Sequence, residues 1–143
     1  MDNQNNAAHS TANIYNPLIE AAKPVFILVN AMQQTTSQLS TDSLINKFSL
    51  LINNFEENAE KNGARYDAIQ AAKYCLCTFV DELAVRAGWA DETWSKNSLL
   101  VSFYDETWGG ERFFEIIQNL KQDPDKNIDL LEFMYLCLQF GYK

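Results

Sequence analysis

Residues 65–87 read RYDAIQAAKYCLCTFVDELAVRA, and this stretch decides the fold class. Its large apolar side chains recur every three or four residues, which is the spacing of one face of an α-helix. They are Tyr66, Ile69, Leu76, Phe79, Val80 and Leu83. Gly88 follows, and glycine commonly ends a helix because it adopts a left-handed conformation without steric cost. The stretch therefore predicts a long amphipathic helix that stops at Gly88.

The apolar residues on both sides of this stretch follow the same helical spacing, and alternation with a period of two never persists. Five glycines and three prolines are too few turn residues for a many-stranded sheet. We therefore predict an all-α fold. The other helices are expected at residues 16–34, from 41–42 to about 62, and at 94–104, 111–122 and 128–140.

Local signals mark several helix ends and one interruption. Asn16 is a good N-cap residue, and Pro17 suits the first helical position. Pro24 lies inside the first helix and predicts a kink or a break, because proline lacks the backbone donor. Gly63 is expected just beyond the end of the second helix.

The domain organisation follows from length and local composition. The chain has 143 residues, which fits one domain. Residues 1–13 are polar and rich in asparagine, so we predict a disordered N-terminal tail there and a helical domain at 14–143. The N-terminus lacks the features of a signal peptide, and no apolar run approaches the roughly 20 residues of a spanning helix. These observations predict a soluble, cytosolic domain.

The charge balance restricts the class of partner. Eleven Lys and Arg against nineteen Asp and Glu give a net charge of −8. Binding to a nucleic-acid backbone or to an anionic membrane surface requires clustered positive charge, so both are disfavoured. A protein partner with a basic face is the better prediction.

Residues that could carry nucleophilic or metal chemistry are few. The only histidine is His9, in the predicted tail. Cys75 and Cys77 point in different directions on one helix, and Cys137 lies on another. We interpret all three as buried structural thiols. No catalytic, metal or cofactor site is therefore expected.

Three Asp-Glu pairs and a glycine-rich turn remain as candidate sites: Asp81-Glu82, Asp91-Glu92, Asp105-Glu106 and Trp108-Gly109-Gly110. Paired carboxylates could perform acid–base chemistry in a small hydrolase, but neighbours on a helix diverge by about 100°. An acidic docking surface is the competing hypothesis. Asp91 and Glu92 are explained as charges at a helix N-terminus. A phosphate cradle at the turn is disfavoured by its acidic surroundings.

Aromatic residues near these turns leave two interpretations open. Trp89, Trp94 and Trp108 could pack at the edge of the core or be exposed as anchors for a partner. If the aromatic loops bound a small ligand, the chain would be a ligand-binding regulatory bundle.

Several long strings resemble the DotU/TssL family, also called IcmH/DotU. YCLCTFVDE (Tyr74–Glu82) is similar to a characteristic family helix, as are FYDETWGGERFFE (Phe103–Glu115) and the region of Trp94 and Ser98–Leu100. DLLEFMYLCLQFGY (Asp129–Tyr142) resembles the family's closing helix. The resemblance extends back to Asn16-Pro17-Leu18 and so covers nearly all of the chain outside the tail.

This resemblance implies a non-enzymatic component of the bacterial type VI secretion system. The family fold is two small helical bundles of about six to eight helices, joined like a hook with a cleft between them. Family members associate with the inner-membrane protein IcmF/TssM and connect it to the baseplate proteins TssK and TssE. A related DotU protein serves type IVb secretion with IcmF, and that role remains an alternative.

The resemblance also implies localisation and site residues. Family members sit at the cytoplasmic face of the inner membrane through a C-terminal transmembrane helix, which we expect to be absent from this chain. We expect the full-length protein to form a homodimer through this helix. Without the helix, we expect this chain to be a monomer. The family's acidic motif falls on Asp81 and Glu82, which we predict to bind partners in the cleft, with Asp105, Glu106 and Trp108 as second choices. A structural role for Asp81 and Glu82, holding helix or loop ends in place, is the alternative.

Overall fold

The computed structural model describes residues 15–34, 40–106 and 110–141. These residues form helices and contain no strand, which confirms the predicted all-α class. The helices are α1 (Pro17–Gln34), α2 (Thr41–Lys61), α3 (Tyr66–Ala87), α4 (Glu92–Lys96), α5 (Leu99–Tyr104), α6 (Gly110–Leu120) and α7 (Ile128–Gly141). The predicted N-terminal tail, residues 1–13, lies outside the described residues.

The predicted end signals at the first three helices are confirmed. The Asn16 Oδ1 accepts hydrogen bonds from the backbone N–H groups of Leu18 and Ile19, at 2.9 and 3.2 Å. Gly63 and Gly88 have φ angles of 92° and 83°, in the left-handed region that favours glycine. Helix α1 runs through Pro24 without interruption, so the break that proline could have caused does not occur.

The helix predicted at residues 94–104 is wrong, because two short helices, α4 and α5, replace it. Ser98 starts a new helix instead of continuing the old one: its Oγ accepts the Val101 N–H at 3.2 Å. The side chain of Asp81, on α3, accepts the N–H groups of Leu99 and Leu100. A contact with a distant helix thus divides a segment that local periodicity reads as continuous.

Helices α1, α2, α3 and α7 pack together and form the larger group. The remaining helices pack on this group: α4 lies against α2, α5 lies against α3 and α2, and α6 lies against α3 and α7. The Phe26 ring joins three helices of the larger group, with centroids 5.7 Å from Phe79, 6.2 Å from Phe133 and 4.9 Å from Phe140. In the described ranges, no helix combines the length and hydropathy needed to cross a membrane.

The three cysteines are buried and free, as predicted for structural thiols. Burial raises the pKa of each thiol, so Cys75, Cys77 and Cys137 are held protonated at neutral pH. They act as small apolar side chains of the core.

Candidate partner-binding cleft

A cleft of about 870 Å³ lies between α3, α6 and α7. Its apolar lining comes from all three helices and includes Phe79, Leu83, Phe113 and Leu138. Phe79, Leu83 and Phe113 are otherwise buried in the core, so the cleft reaches down to tightly packed side chains. Phe114 also lines the cleft but is 48% exposed, which shows that the cleft opens to solvent at α6.

The charged side chains of the cleft are mainly acidic. Glu82 of α3 and Glu111 and Glu115 of α6 contribute three carboxylates, and Arg86 contributes one guanidinium. Glu111 and Glu115 are four residues apart, so they project from one face of α6 about one turn apart. The cleft therefore combines an apolar lining with carboxylates on two of its walls.

Asp81 does not line this cleft, and its carboxylate forms hydrogen bonds within the protein. Its Oδ1 accepts the indole Nε1–H of Trp94 and the Leu99 N–H, both at 3.0 Å, and its Oδ2 accepts the Leu100 N–H at 2.9 Å. Burial raises the pKa of Asp81, and these hydrogen bonds oppose that rise. Asp81 thus joins α3 to α4 and α5, and its contacts favour the structural role over direct contact with a partner.

The described tryptophans, Trp89 and Trp94, differ in how far they are buried. Trp94 is 1% exposed and belongs to the core, so it is not a surface anchor. Trp89 is half-buried and stacks on Phe48 with ring centroids 6.3 Å apart. Trp108, named as a candidate partner-binding residue, lies outside the described residues.

Glu106 anchors the start of α6 to α3. The Tyr74 hydroxyl donates to Glu106 Oε1 at 2.7 Å, and Arg112 Nη1 lies 2.9 Å from Glu106 Oε2. The Arg112 guanidinium also sits 4.6 Å from the Tyr74 ring centroid. Burial and the Glu106 carboxylate raise the pKa of Tyr74 to about 12. This cluster fixes the relative position of two walls of the cleft.

Asp105 and Asp91 both occupy helix ends. Asp105 is exposed and ends α5 with a φ of 58°, a left-handed conformation that Asp adopts more readily than most residues. Asp91 caps α4 by accepting the Trp94 N–H at 3.1 Å, as its position in the sequence predicts. Its other oxygen accepts the Thr41 hydroxyl at 2.8 Å, which ties α4 to the start of α2.

A family model described as "Type VI secretion system protein DotU" matches residues 17–143. The chain belongs to the DotU family. The match includes every described helix and all of the cleft-lining residues. The resemblance seen in the strings of residues 74–82, 103–115 and 129–142 is thereby confirmed.

Solved structures of TssL proteins have the same fold as this DotU family member. The structure of TssL from Vibrio cholerae is 32% identical, with a TM-score of 0.76 over 90% of this chain and 81% of that one. The cytoplasmic domain of TssL from Acinetobacter baumannii is 26% identical, with a TM-score of 0.79 over 90% and 82%. A comparison with curated proteins found no match.

The structure divides the acidic residues that the DotU resemblance singled out. Of the four acidic candidates, Glu82 lines the cleft, whereas Asp81 and Glu106 bond within the protein and Asp105 ends a helix. Among the described residues, no group of three or more His, Cys, Asp or Glu side chains is arranged to hold a metal ion.

Sequence reasoning missed the α6 wall of the cleft. Glu111, Phe114 and Glu115 are not among the partner-binding residues predicted from the sequence. A signal was nevertheless present: Glu111, Phe114, Glu115 and Gln118 follow helical spacing along one face, opposite the buried Phe113 and Ile117.

Proposed function

We propose that this chain is a non-enzymatic adaptor of the type VI secretion membrane complex. It links an IcmF/TssM-type inner-membrane protein to the cytoplasmic baseplate, through TssK and TssE. Membership of the DotU family supports the secretion system, and the family description favours the type VI apparatus over the type IVb one. The observation that carries the adaptor role is the cleft, with its apolar lining and three carboxylates.

The physical argument for partner binding rests on charge and exposed apolar surface. Carboxylates around a cleft attract a basic partner, accelerate encounter and fix its orientation. Phe114, exposed beside Glu111 and Glu115, offers apolar area that becomes buried when a partner docks. The net charge of −8 adds attraction at longer range.

The hydrogen bonds of Asp81 within the protein argue against the alternative of a hydrolase that uses the Asp81–Glu82 pair. Such chemistry requires two carboxylates that converge on one substrate. Asp81 is occupied by N–H groups of α5 and by Trp94, whereas Glu82 lines the cleft. The two side chains therefore do not converge on a common point.

Localisation at the cytoplasmic face of the inner membrane is part of this proposal. We propose that a C-terminal transmembrane helix anchors the full-length protein and supports a homodimer, while the helical domain faces the cytoplasm. The proposal predicts that the cytoplasmic domain alone is a monomer, which sedimentation measurements can test.

A localisation experiment tests the adaptor role in the bacterium that encodes this chain. Fluorescently labelled TssK is followed in wild-type cells and in cells that lack this protein. We expect TssK foci at the membrane in the wild type and dispersed fluorescence in the deletion strain, restored by the wild-type gene. Membrane foci that persist in the deletion strain would contradict an adaptor role.

A further inference from the structure

We infer that the cleft binds an amphipathic helix of a protein partner, with apolar side chains on one stripe and basic residues beside it. This inference rests on the proposed function, because it assumes that the cleft is a partner-binding site. It goes further by stating the conformation and the charge of the bound segment.

The walls of the cleft determine how a peptide can bind. They are three α-helices, whose backbone groups are already paired along each helix, and the described residues offer no sheet edge. An extended peptide therefore cannot add as a strand. The apolar groove between helices suits the helix-in-groove mode, in which side chains of a partner helix enter the groove.

The apolar residues suit the stripe of such a helix. Phe79, Leu83 and Phe113 form buried lining, and Phe114 extends apolar surface to the edge of the cleft. The volume of about 870 Å³ admits several anchoring side chains at once. Anchors spaced by three or four residues on a helix enter one groove together.

The acidic residues determine the charge of the partner helix. Glu111 and Glu115 are spaced by about 6 Å along the axis of α6, which is the rise of four helical residues. Lysine or arginine residues four apart on the partner helix have the same spacing. Glu82 provides a further carboxylate on the α3 wall. An acidic or neutral apolar helix would lack these charge pairs.

The test uses the whole chain and synthetic peptides of 18 residues, labelled for fluorescence anisotropy. The first peptide places leucine and lysine at helical spacing. The second replaces each lysine with glutamate, and the third shuffles the leucine–lysine sequence so that no apolar stripe forms. We expect the first peptide to bind at least about tenfold more tightly than the shuffled one, and to gain helical circular dichroism on binding.

Matched variants localise the binding. Phe114→Ala and the double change Glu111→Gln/Glu115→Gln each weaken binding of the first peptide by at least about fivefold. Their controls are Leu50→Ala, at a residue 59% exposed on α2, and Glu57→Gln/Glu60→Gln on the same helix. The controls leave the affinity unchanged, and circular dichroism verifies that all variants are folded.

Several results would overturn the inference. Equal affinity for the amphipathic and shuffled peptides would mean that charge alone drives binding, and equal losses in the control variants would place binding elsewhere. Self-association that Phe114→Ala abolishes would mean that a second copy occupies the cleft. If cleft variants lose TssK but no amphipathic peptide binds, the helix inference fails while the adaptor function stands. If the cleft variants bind TssK as tightly as the wild type does, the proposed site itself fails.

Discussion

The indole Nε1 of Trp94 donates a hydrogen bond of 3.0 Å to the carboxylate of Asp81. The same carboxylate accepts the N–H groups of Leu99 and Leu100, so one side chain of α3 orders both short helices that follow. The next residue, Glu82, lines the cleft instead. Two adjacent acidic residues therefore have different surroundings: one holds helices together, and the other lines the cleft that we propose as the partner-binding site.

Replacing Asp81 should destabilise the fold without changing the shape of its side chain. In Asp81→Asn, the amide NH₂ would face an N–H donor, either Leu100 N–H or the pair from Trp94 and Leu99. We expect a loss of about 1–3 kcal/mol in the free energy of unfolding, the usual cost of an unsatisfied buried group. Urea unfolding measures it, with Glu82→Gln as a control expected to stay within about 0.5 kcal/mol of wild type. Equal stability of the two variants would show that the Asp81 contacts do not hold the helices.

The Tyr74–Glu106 contact predicts a dependence of stability on alkaline pH. The pKa of Tyr74 is raised from 10.0 to about 12 in the folded protein, by burial and then by the Glu106 carboxylate. The folded state therefore keeps this proton where the unfolded state loses it. The sign of this linkage means that the contribution of Tyr74 to stability falls as pH rises from about 10 to about 12.

Titration of tyrosine absorbance in the near ultraviolet tests that prediction. Subtracting the curve of Tyr74→Phe isolates Tyr74, and Tyr66→Phe, at a residue 76% exposed, provides the control. We expect Glu106→Gln to lower the pKa of Tyr74, because a negative neighbour is removed. A Tyr74 that titrates near 10 in the folded wild type would contradict the contact.

The end of α3 offers a test of backbone conformation alone. Gly88 has a φ of 83°, and no atom lies within 4 Å of the position a Cβ would take. Gly88→Ala should therefore cost about 1–2 kcal/mol through the left-handed conformation and not through a clash. Gly88→Asn is the matched control and should cost less, because asparagine tolerates this region better. Thermal or urea unfolding compares the two; equal losses would point to a steric cause.

Glu56 links α2 to α3, and its contacts predict a small contribution to the stability of the fold that is lost at acidic pH. It accepts Lys73 Nζ and Gln70 Nε2, each at 2.8 Å. The hydrogen bond from Lys73 and then that from Gln70 lower its pKa below 4.5. The stabilisation is therefore present above pH 4.5 and is lost as pH falls through the lower pKa of the folded state.

Glu56→Gln is expected to remove this acid-dependent contribution. Because the carboxylate is partly exposed, the loss at neutral pH should be below about 1 kcal/mol. Urea unfolding at several acidic pH values compares the variant with wild type, and Glu57→Gln, one residue further on, is the control. A wild type and a Glu56→Gln variant with parallel pH profiles would exclude the contribution.

Signals that act over a few residues could be predicted from the sequence, and contacts between distant segments could not. Asn16 and Gly88 mark helix ends through their own chemistry, so these ends are predicted well. The division between α4 and α5 depends on Asp81, which lies 18 residues before Leu99. The helical periodicity of the local sequence does not indicate this contact. The cleft depends similarly on how Phe114 and the α6 carboxylates lie against α3. Sequence similarity located the acidic pair, but the fold was required to separate the roles of its two members.

The most direct test of the central claim is binding of this purified chain to its cognate TssK, measured by calorimetry. Three proteins are compared: the wild type, Glu82→Gln/Glu115→Gln in the cleft, and Glu57→Gln/Glu60→Gln on α2 with the same change in charge. We predict that the cleft variant binds at least about fivefold more weakly while keeping its melting temperature, and that the α2 variant binds like the wild type. Equal affinities of all three proteins for TssK, or no binding by the wild type, would contradict the account.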